Sequence, residues 1–339
     1  MKNTFKDSVI LFGGSSEERM VSVASAQNLS KQIPEAAMWF LTQEGKIHTV
    51  TQKEISLHDN AFIKQFIPQT EPTFKNLQES FPSLKDKTVI IALHGTEGED
   101  GSIQADFEKA KINFTGTKSK ASALAFDKVK TKQIARKNDL PLVDELIIHK
   151  FDDSAIKKLQ DFCNRHQKIV LKPFANGSSV GLFIISTTQD LTDALDSIKK
   201  KNLHDYLAEP FIHGREITVG VREKIDGTIT SLPCSEVRVI QGRQFDYEGK
   251  YLGKGVEELT PAPLSPEEAK ACQDLALKVH SLVGCRGYSR TDMILTEKGP
   301  VLLEINTLPG LSKASFIPQQ LIANGENLRD FFLEQINIP

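Results

Sequence analysis

Two apolar runs near the C-terminal end, YSRTDMIL and PVLLEIN, flank Thr296-Glu297-Lys298-Gly299-Pro300 and predict a β-hairpin. Gly299 suits the left-handed last position of a three-residue loop. Centred on Lys298, the hairpin sets Asp292 opposite Glu304 and Arg290 opposite Asn306. Strand alternation then puts Arg290, Asp292, Leu302, Glu304 and Asn306 on one face. Toward the N-terminus, Ser8 to Phe12 is a short apolar strand ending in Gly13-Gly14. A helix follows, with apolar positions at Val21, Ala24 and Leu29. Ala37 to Leu41 and Thr88 to Leu93 read as strands and Ser102 to Ala110 as a helix. Strand, glycine turn, helix, strand is the rhythm of a parallel sheet with covering helices. The stretch 43–87 is polar and predicts loops with one or two short helices.

From Lys118 the texture changes. Ala121 to Asn138 predicts one helical run, Leu146 to His149 a strand and Asp152 to Arg165 a helix. Strand Ile169 to Pro173 leads through a small-residue loop to strand Gly181 to Ser186. Helix Asp190 to Lys200 and strand Tyr206 to Glu209 complete an α+β unit. Beyond Pro210 come paired strands (Glu216 to Val221, Thr228 to Leu232), a polar loop from Gln241 to Thr260, a helix from Pro266 to Val283, and the hairpin. The expected organisation is three domains: an N-terminal α/β domain over 1–117, a central α+β domain over 118–209 and a C-terminal α+β domain over 210–339. No internal repeat or low-complexity tract interrupts them.

At 339 residues the chain is long enough for such cores. Its 39% apolar and 25% charged content is that of a soluble globular protein. A net charge of −2 argues against nucleic acid or an anionic membrane as the main partner. Cys163, Cys234, Cys272 and Cys285 show no C-x-x-C spacing and read as free thiols in a reducing compartment. No apolar run suits a signal peptide or approaches a membrane span, so the expected location is cytoplasmic.

Chemistry concentrates in a few segments. Facing carboxylates repel unless a cation sits between them, and Asp292, Glu304 and Asn306 are all-oxygen ligands of the kind Mg2+ takes alongside phosphate and water. In KPFANGSSVG, Lys172 ends a strand before a small-residue loop that includes Ser178 and Ser179. Backbone amides of such a loop can close over a triphosphate, although the sequence is not a Walker A loop. Taken alone, the motif reads sooner as a hairpin connection with a surface lysine. Asp127-Lys128 invites a similar reading as a second phosphate lysine. EPFIHGRE offers an apolar slot (Phe211, Ile212) and two acids, Glu209 and Glu216, suited to an adenine and a ribose. Glu18, three residues after Ser15, is either half of a helix capping box or a carboxylate poised for an amino-acid ammonium. HGTEGEDG follows a strand, where α/β sheets bind ligands. DYEGKY, with Lys250 and Tyr251, lies in a long charged loop suited to a lid.

Taken in order, GGSSEERMVS, HGTEGEDGSIQ, ASALAFDKVKTK, LKPFANGSSVG, EPFIHGREITV, DYEGKY, GYSRTDMIL and LLEINTLPGLSKAS resemble the D-alanine–D-alanine ligases of the ATP-grasp superfamily. The resemblance covers nearly the whole chain. It implies a three-domain α/β ATP-grasp fold with ATP between the central and C-terminal domains. It also implies ligation of two D-alanines through an acyl phosphate, releasing ADP and phosphate, for peptidoglycan. On this likeness Glu18 binds the first ammonium with His94 nearby, and Glu18, Ser178 and Tyr251 form a hydrogen-bonded triad. Arg290 and the Gly310 amide stabilise the oxyanion. Ser315, with Phe316 beside it, meets the second D-alanine. Lys128, Lys172, Ser178, Ser179 and Lys250 serve the phosphates. Glu209, Phe211, Ile212 and Glu216 serve adenine and ribose. Asp292, Glu304 and Asn306 hold Mg2+ or Mn2+, with two ions expected, and a homodimer is implied.

The chain departs from many relatives at Met20, Pro210 and Lys313. Lys250-Tyr251 is the pattern of dipeptide-forming ligases, whereas D-alanine–D-lactate ligases typically have a histidine-bearing loop there. Two alternatives stay open: an ATP-grasp ligase with D-lactate or another D-amino acid as second substrate, and a nucleotide-binding regulator without turnover.

Overall fold

The computed structural model describes residues 3–175, 181–239 and 256–338. In the N-terminal part, strands β1 (Ser8–Gly13), β2 (Ala37–Leu41), β3 (Ile47–Val50), β4 (Thr88–Ile91) and β5 (Asn113–Phe114) form one sheet. Its order is β3-β2-β1-β4-β5. β1 runs parallel to both neighbours, and every residue of it is buried. Continuous apolar strands such as SVILFG are what a sheet covered on both faces requires. The expected strands and helix are present. Helix α1 (Arg19–Gln32) follows β1; the polar stretch 43–87 holds the two short helices expected, α2 (Gln52–Leu57) and α3 (Leu77–Leu84), and one strand that was not, β3, which pairs antiparallel with β2. β3 reads I-H-T-V, too short and too mixed to show a period. Thr51 and Glu54 close α2 with a reciprocal capping box.

Helix α4 (Ser102–Ala110) has the expected bounds. The run expected as one helix over 121–138 is two, α5 (Ser119–Phe126) and α6 (Lys128–Lys137). Asp127 breaks it: its backbone is extended and its carboxylate accepts from the Lys130 amide at 3.0 Å. An aspartate that satisfies a free amide of the first turn caps a helix better than it sits inside one. Ala125 and Ala135 pack into the same apolar core as Ile217, Val219 and Met293.

The middle sheet, β6 (Leu146–Ile148), β7 (Ile169–Pro173), β8 (Phe183–Ile185) and β9 (Tyr206–Pro210), is antiparallel in the order β6-β9-β7-β8. Helices α7 (Asp153–His166) and α8 (Thr188–Lys200) supply Leu159, Phe162, Leu191 and Ile198 to its core.

The third sheet contains β10 (Arg215–Glu223), β11 (Ile229–Ser231), β12 (Ser235–Val239), β13 (Val256–Leu259), β14 (Tyr288–Thr296) and β15 (Gly299–Asn306). The order is β13-β12-β10-β14-β15, with β11 also on β10. β12 and β13 went unforeseen because S-E-V-R-V and V-E-E-L each carry two charges in so short a run; β13 occupies the end of what reads as a polar loop. Helix α9 (Pro266–Val283) covers one face with Cys272, Leu275, Ala276 and Val279. Helices α10 (Phe316–Ala323) and α11 (Leu328–Gln335) close the chain. Among the described residues no helix is long and apolar enough to cross a membrane.

Arg290 does pair with Asn306, and Asp292 with Glu304. The reason differs from the expected one. Thr296 pairs with Gly299, leaving a two-residue turn, and Met293 pairs with Leu302. The extra residue sits not in the turn but at Leu303, a β-bulge that with Glu304 opposes Asp292. Leu302 therefore faces the covered side, fully buried with Met293, and not the side of Asp292. Burying a leucine is worth about 1.5–3 kcal/mol, which decides its face and leaves the bulge to restore the polar register.

Candidate active site

The face of the third sheet away from α9 collects the polar residues; α10 packs over part of it, with Gln320 bonded to the Gly220 amide and the Thr218 carbonyl. Arg290 Nε and Nη2 donate to Asp292 Oδ1 and Oδ2 at 2.8 and 2.7 Å. Asn306 Nδ2 donates to Asp292 Oδ2 at 3.2 Å, and the Thr218 hydroxyl to Oδ1 at 2.6 Å. Glu304 meets Lys128 Nζ at 3.1 Å. Thus each facing carboxylate has its own cation, as side-by-side negative charges demand. Glu216 lies two residues from Thr218 on the same strand face. The donor chemistry suits a hard divalent cation: two carboxylates and an amide oxygen, held by adjacent strands, with no sulfur or imidazole among them.

Lys128 reaches this face because the helix restarts at Asp127; its amide donates to Phe174 O at 2.9 Å. One helical turn on, Lys132 pairs with Glu209, which also pairs with Lys172. All three are buried. Burial pushes the Lys132 ammonium down, helped by the Lys172 charge. Burial also opposes the charges of Lys172 and Glu209, but their mutual attraction wins. Lys172 is held above its ordinary value, and Glu209, between two ammoniums, below the usual carboxylate range. A buried ion triad is a weak source of stability, because desolvation cancels most of the attraction. Its value lies in holding Lys172 at the strand end. Each Glu209 oxygen thus already has a lysine partner. Phe211 and Ile212 are half-buried, and Lys168 Nζ sits 3.7 Å from the centre of the Phe211 ring.

The N-terminal contribution comes from beyond strand ends. Glu18 stands just ahead of α1 without capping it by its side chain, so the capping box with Ser15 does not form; its amide donates instead to Ser16 Oγ at 3.1 Å. Gly95, at φ +70°, passes so close that a Cβ would collide with the Ser16 hydroxyl and lie 3.0 Å from Glu18 Oε2. Glu99 accepts from the Gly95 amide at 3.1 Å. Burial pushes the Glu99 carboxyl above its ordinary range, and the Glu18 charge adds to this. His94 is 4% exposed, with Nδ1 2.9 Å from Leu308 O and Nε2 3.0 Å from Ser25 Oγ. Its ring is committed to protein partners behind the site surface. Glu99, Lys128, Glu304, Asn306 and Thr307 line a single cavity, so the two contributions meet there.

The loop after β15 completes the wall. Gly310 lies against Ser315, whose hydroxyl is 2.8 Å from that of Ser312. The Phe316 ring centre lies 5.8 Å from the Arg290 guanidinium. Lys313 is exposed, while Met20 and Pro210 are half-buried. Ser178, Ser179, Lys250 and Tyr251 lie outside the described residues. All four cysteines are free thiols. Lys132, Thr218, Glu99 and Ser25 were not among the expected site residues. Lys132 carried a signal, one turn after Lys128, and Glu99 sits inside a motif already singled out; Thr218 and Ser25 look like ordinary strand and helix residues.

Family models described as D-ala D-ala ligase N-terminus and C-terminus match residues 7–117 and 134–336. The chain is 33% identical to a D-alanine–D-alanine ligase of Leptospira interrogans over 97% of each chain. The D-alanine–D-alanine ligase structure from Coxiella burnetii superposes with a TM-score of 0.79 at 24% identity, covering 98% of this chain and 92% of that one. A D-Ala:D-Ser ligase structure from Enterococcus faecalis gives 0.77 at 25% identity, covering 97% of each. With a mostly parallel N-terminal sheet and two antiparallel ones, the chain shares the three-domain ATP-grasp fold of these ligases.

Proposed function

This chain belongs to the D-alanine–D-alanine ligase family, and we propose on that premise that it joins two D-alanines to D-alanyl-D-alanine for peptidoglycan synthesis, consuming ATP. The terminal phosphoryl group passes to the carboxylate of the first D-alanine. The amine of the second attacks the resulting acyl phosphate; phosphate leaves with the C–O bond electrons, and the amine gives up its proton.

The observation that carries this reading is the set Arg290, Asp292, Glu304 and Asn306 on one strand face, met by Lys128 across the cavity. Asp292, Glu304 and Asn306 would hold Mg2+ or Mn2+, two ions, whose charge would offset that of the phosphates when bound. Lys128 and Lys172 face the phosphates, with Glu209 and Lys132 fixing Lys172. Ser178, Ser179 and Lys250 join them on the family pattern. Phe211, Ile212 and Glu216 take the adenine and ribose. Glu18 receives the first ammonium, with Ser178 and Tyr251 closing over it. Arg290 and the Gly310 amide face the developing oxyanion, and Ser315 and Phe316 bound the second pocket. The division into domains at 117 and 209, a homodimer and a cytoplasmic location belong to the same proposal.

The test is phosphate release. It should require ATP, Mg2+ and D-alanine together, with D-lactate failing as second substrate between pH 6 and 9. Release without D-alanine, or equal turnover with D-lactate, would overturn the assignment.

A further inference from the structure

Helix α1 turns a polar stripe inward. Ser22, Ser25 and Asn28, three residues apart, lie along one side of it. Ser22 Oγ accepts from the Gly13 amide at 2.8 Å and donates to Ala92 O at 2.6 Å, which ties the ends of two strands. The next two residues reach across to the loop after β15. Ser25 Oγ accepts from the Leu311 amide at 3.1 Å, and Asn28 Nδ2 donates to Leu311 O at 2.8 Å. Ser25 is fully buried. Because a carbonyl only accepts, the 2.9 Å contact with Leu308 O puts the proton on His94 Nδ1. Nε2 then accepts, and the Ser25 hydroxyl donates to it. One relay therefore runs from the Leu311 amide through Ser25 and His94 to the Leu308 carbonyl.

Its consequence falls on the residue in between. The peptide planes 308–309 and 310–311 are both tethered, by His94 and by Ser25. The Gly310 amide belongs to the plane between them. Glycine is the residue least able to hold an orientation on its own, so the tethers on either side decide where that N–H points. We propose that Ser25 and Asn28 are positioning residues for the Gly310 amide, through which the N-terminal domain aims an oxyanion donor borne by the C-terminal domain. This rests on the reading of Gly310 given above.

The experiment compares Ser25→Ala, Asn28→Ala, Ser25→Thr and the double variant Ser25→Ala/His94→Ala, with His94→Ala as the other parent of the double variant. Each is measured for kcat and KM with D-alanine, for Mg2+–ADP affinity by calorimetry, and for thermal midpoint. Displacing a reacting group by about an ångström costs about a hundredfold. Ser25→Ala should lower kcat by about tenfold to a hundredfold, Asn28→Ala by less, with ADP affinity within about twofold of wild type. Ser25→Thr, which keeps the hydroxyl, should recover most of the loss. The double variant should fall no more than about threefold below its poorer parent, since both act on one relay. Wild-type kcat in both alanine variants, or losses that multiply in the double variant, would overturn the proposal. So would a fall in ADP affinity and midpoint that parallels kcat, because that is a folding defect. Absence of D-alanine-dependent turnover in the unmodified chain would instead strike the ligase reading itself.

Discussion

Glu18, His94 and Glu99 stand beyond the ends of parallel strands, whereas Arg290, Asp292, Glu304 and Asn306 stand on the face of an antiparallel sheet. The difference follows from how each sheet is covered. The parallel sheet is buried throughout its central strand, so its chemistry is confined to the turns that leave it. The third sheet is covered by α9 on one side and only in part, by α10, on the other, and alternation delivers every second residue to that second side. Side chains on a strand face are held by the backbone ladder itself. Those on turns need dedicated clamps, which is what Ser16, Gly95, Ser22 and Ser25 supply. A strand face is thus suited to a ligand set needing fixed spacing, and turns to contacts that tighten when a substrate arrives.

This contrast can be broken by substitution. The largest effect belongs to the rigid face. Glu304→Gln keeps shape and removes charge, and it should lower turnover by at least about a thousandfold with the circular dichroism spectrum unchanged. Near-normal activity would remove the metal role from that face. Second comes the turn side. Glu18→Gln should raise the KM for D-alanine by about tenfold to a hundredfold, the worth of one hydrogen bond to a charged group, and change kcat less. If instead kcat fell and KM held, Glu18 would be acting on the transition state, and the division of labour would fail.

The smallest effect concerns pH, where the two regions respond with opposite sign. His280, on the covered side of the third sheet, lies 2.8 Å from Ser289 Oγ through Nδ1. Burial pushes its imidazolium down from 6.5 to about 4. As pH falls from 6.5 toward 4 the unfolded chain takes up a proton that the native ring refuses, so stability is lost, about 2 kcal/mol by pH 5. Glu99 is raised, so its native carboxyl holds a proton longer and its contribution weakens as pH rises. Denaturant unfolding of His280→Asn at pH 7 and pH 5 should show a smaller drop between the two than wild type. An equal drop would place the acid sensitivity elsewhere.

Much of this was legible in the linear chain. The opposition of Asp292 with Glu304 holds through the bulge at Leu303 and not through the expected three-residue turn, but strand and helix spans such as Ile169–Pro173 and Pro266–Val283 follow from apolar period and caps. These are local properties, written within a few residues of where they act. Tertiary structure decided what depends on partners distant in sequence. It put the bulge at Leu303, because Leu302 gains more buried beside Met293 than it would on the polar face. It broke the helix at Asp127, turning Lys128 toward Glu304. It gave Glu209 two lysines and Ser25 its relay to Leu311. A serine inside a helix looks the same in sequence whether it faces water or a backbone amide 286 positions away, and only the packed chain supplies that amide.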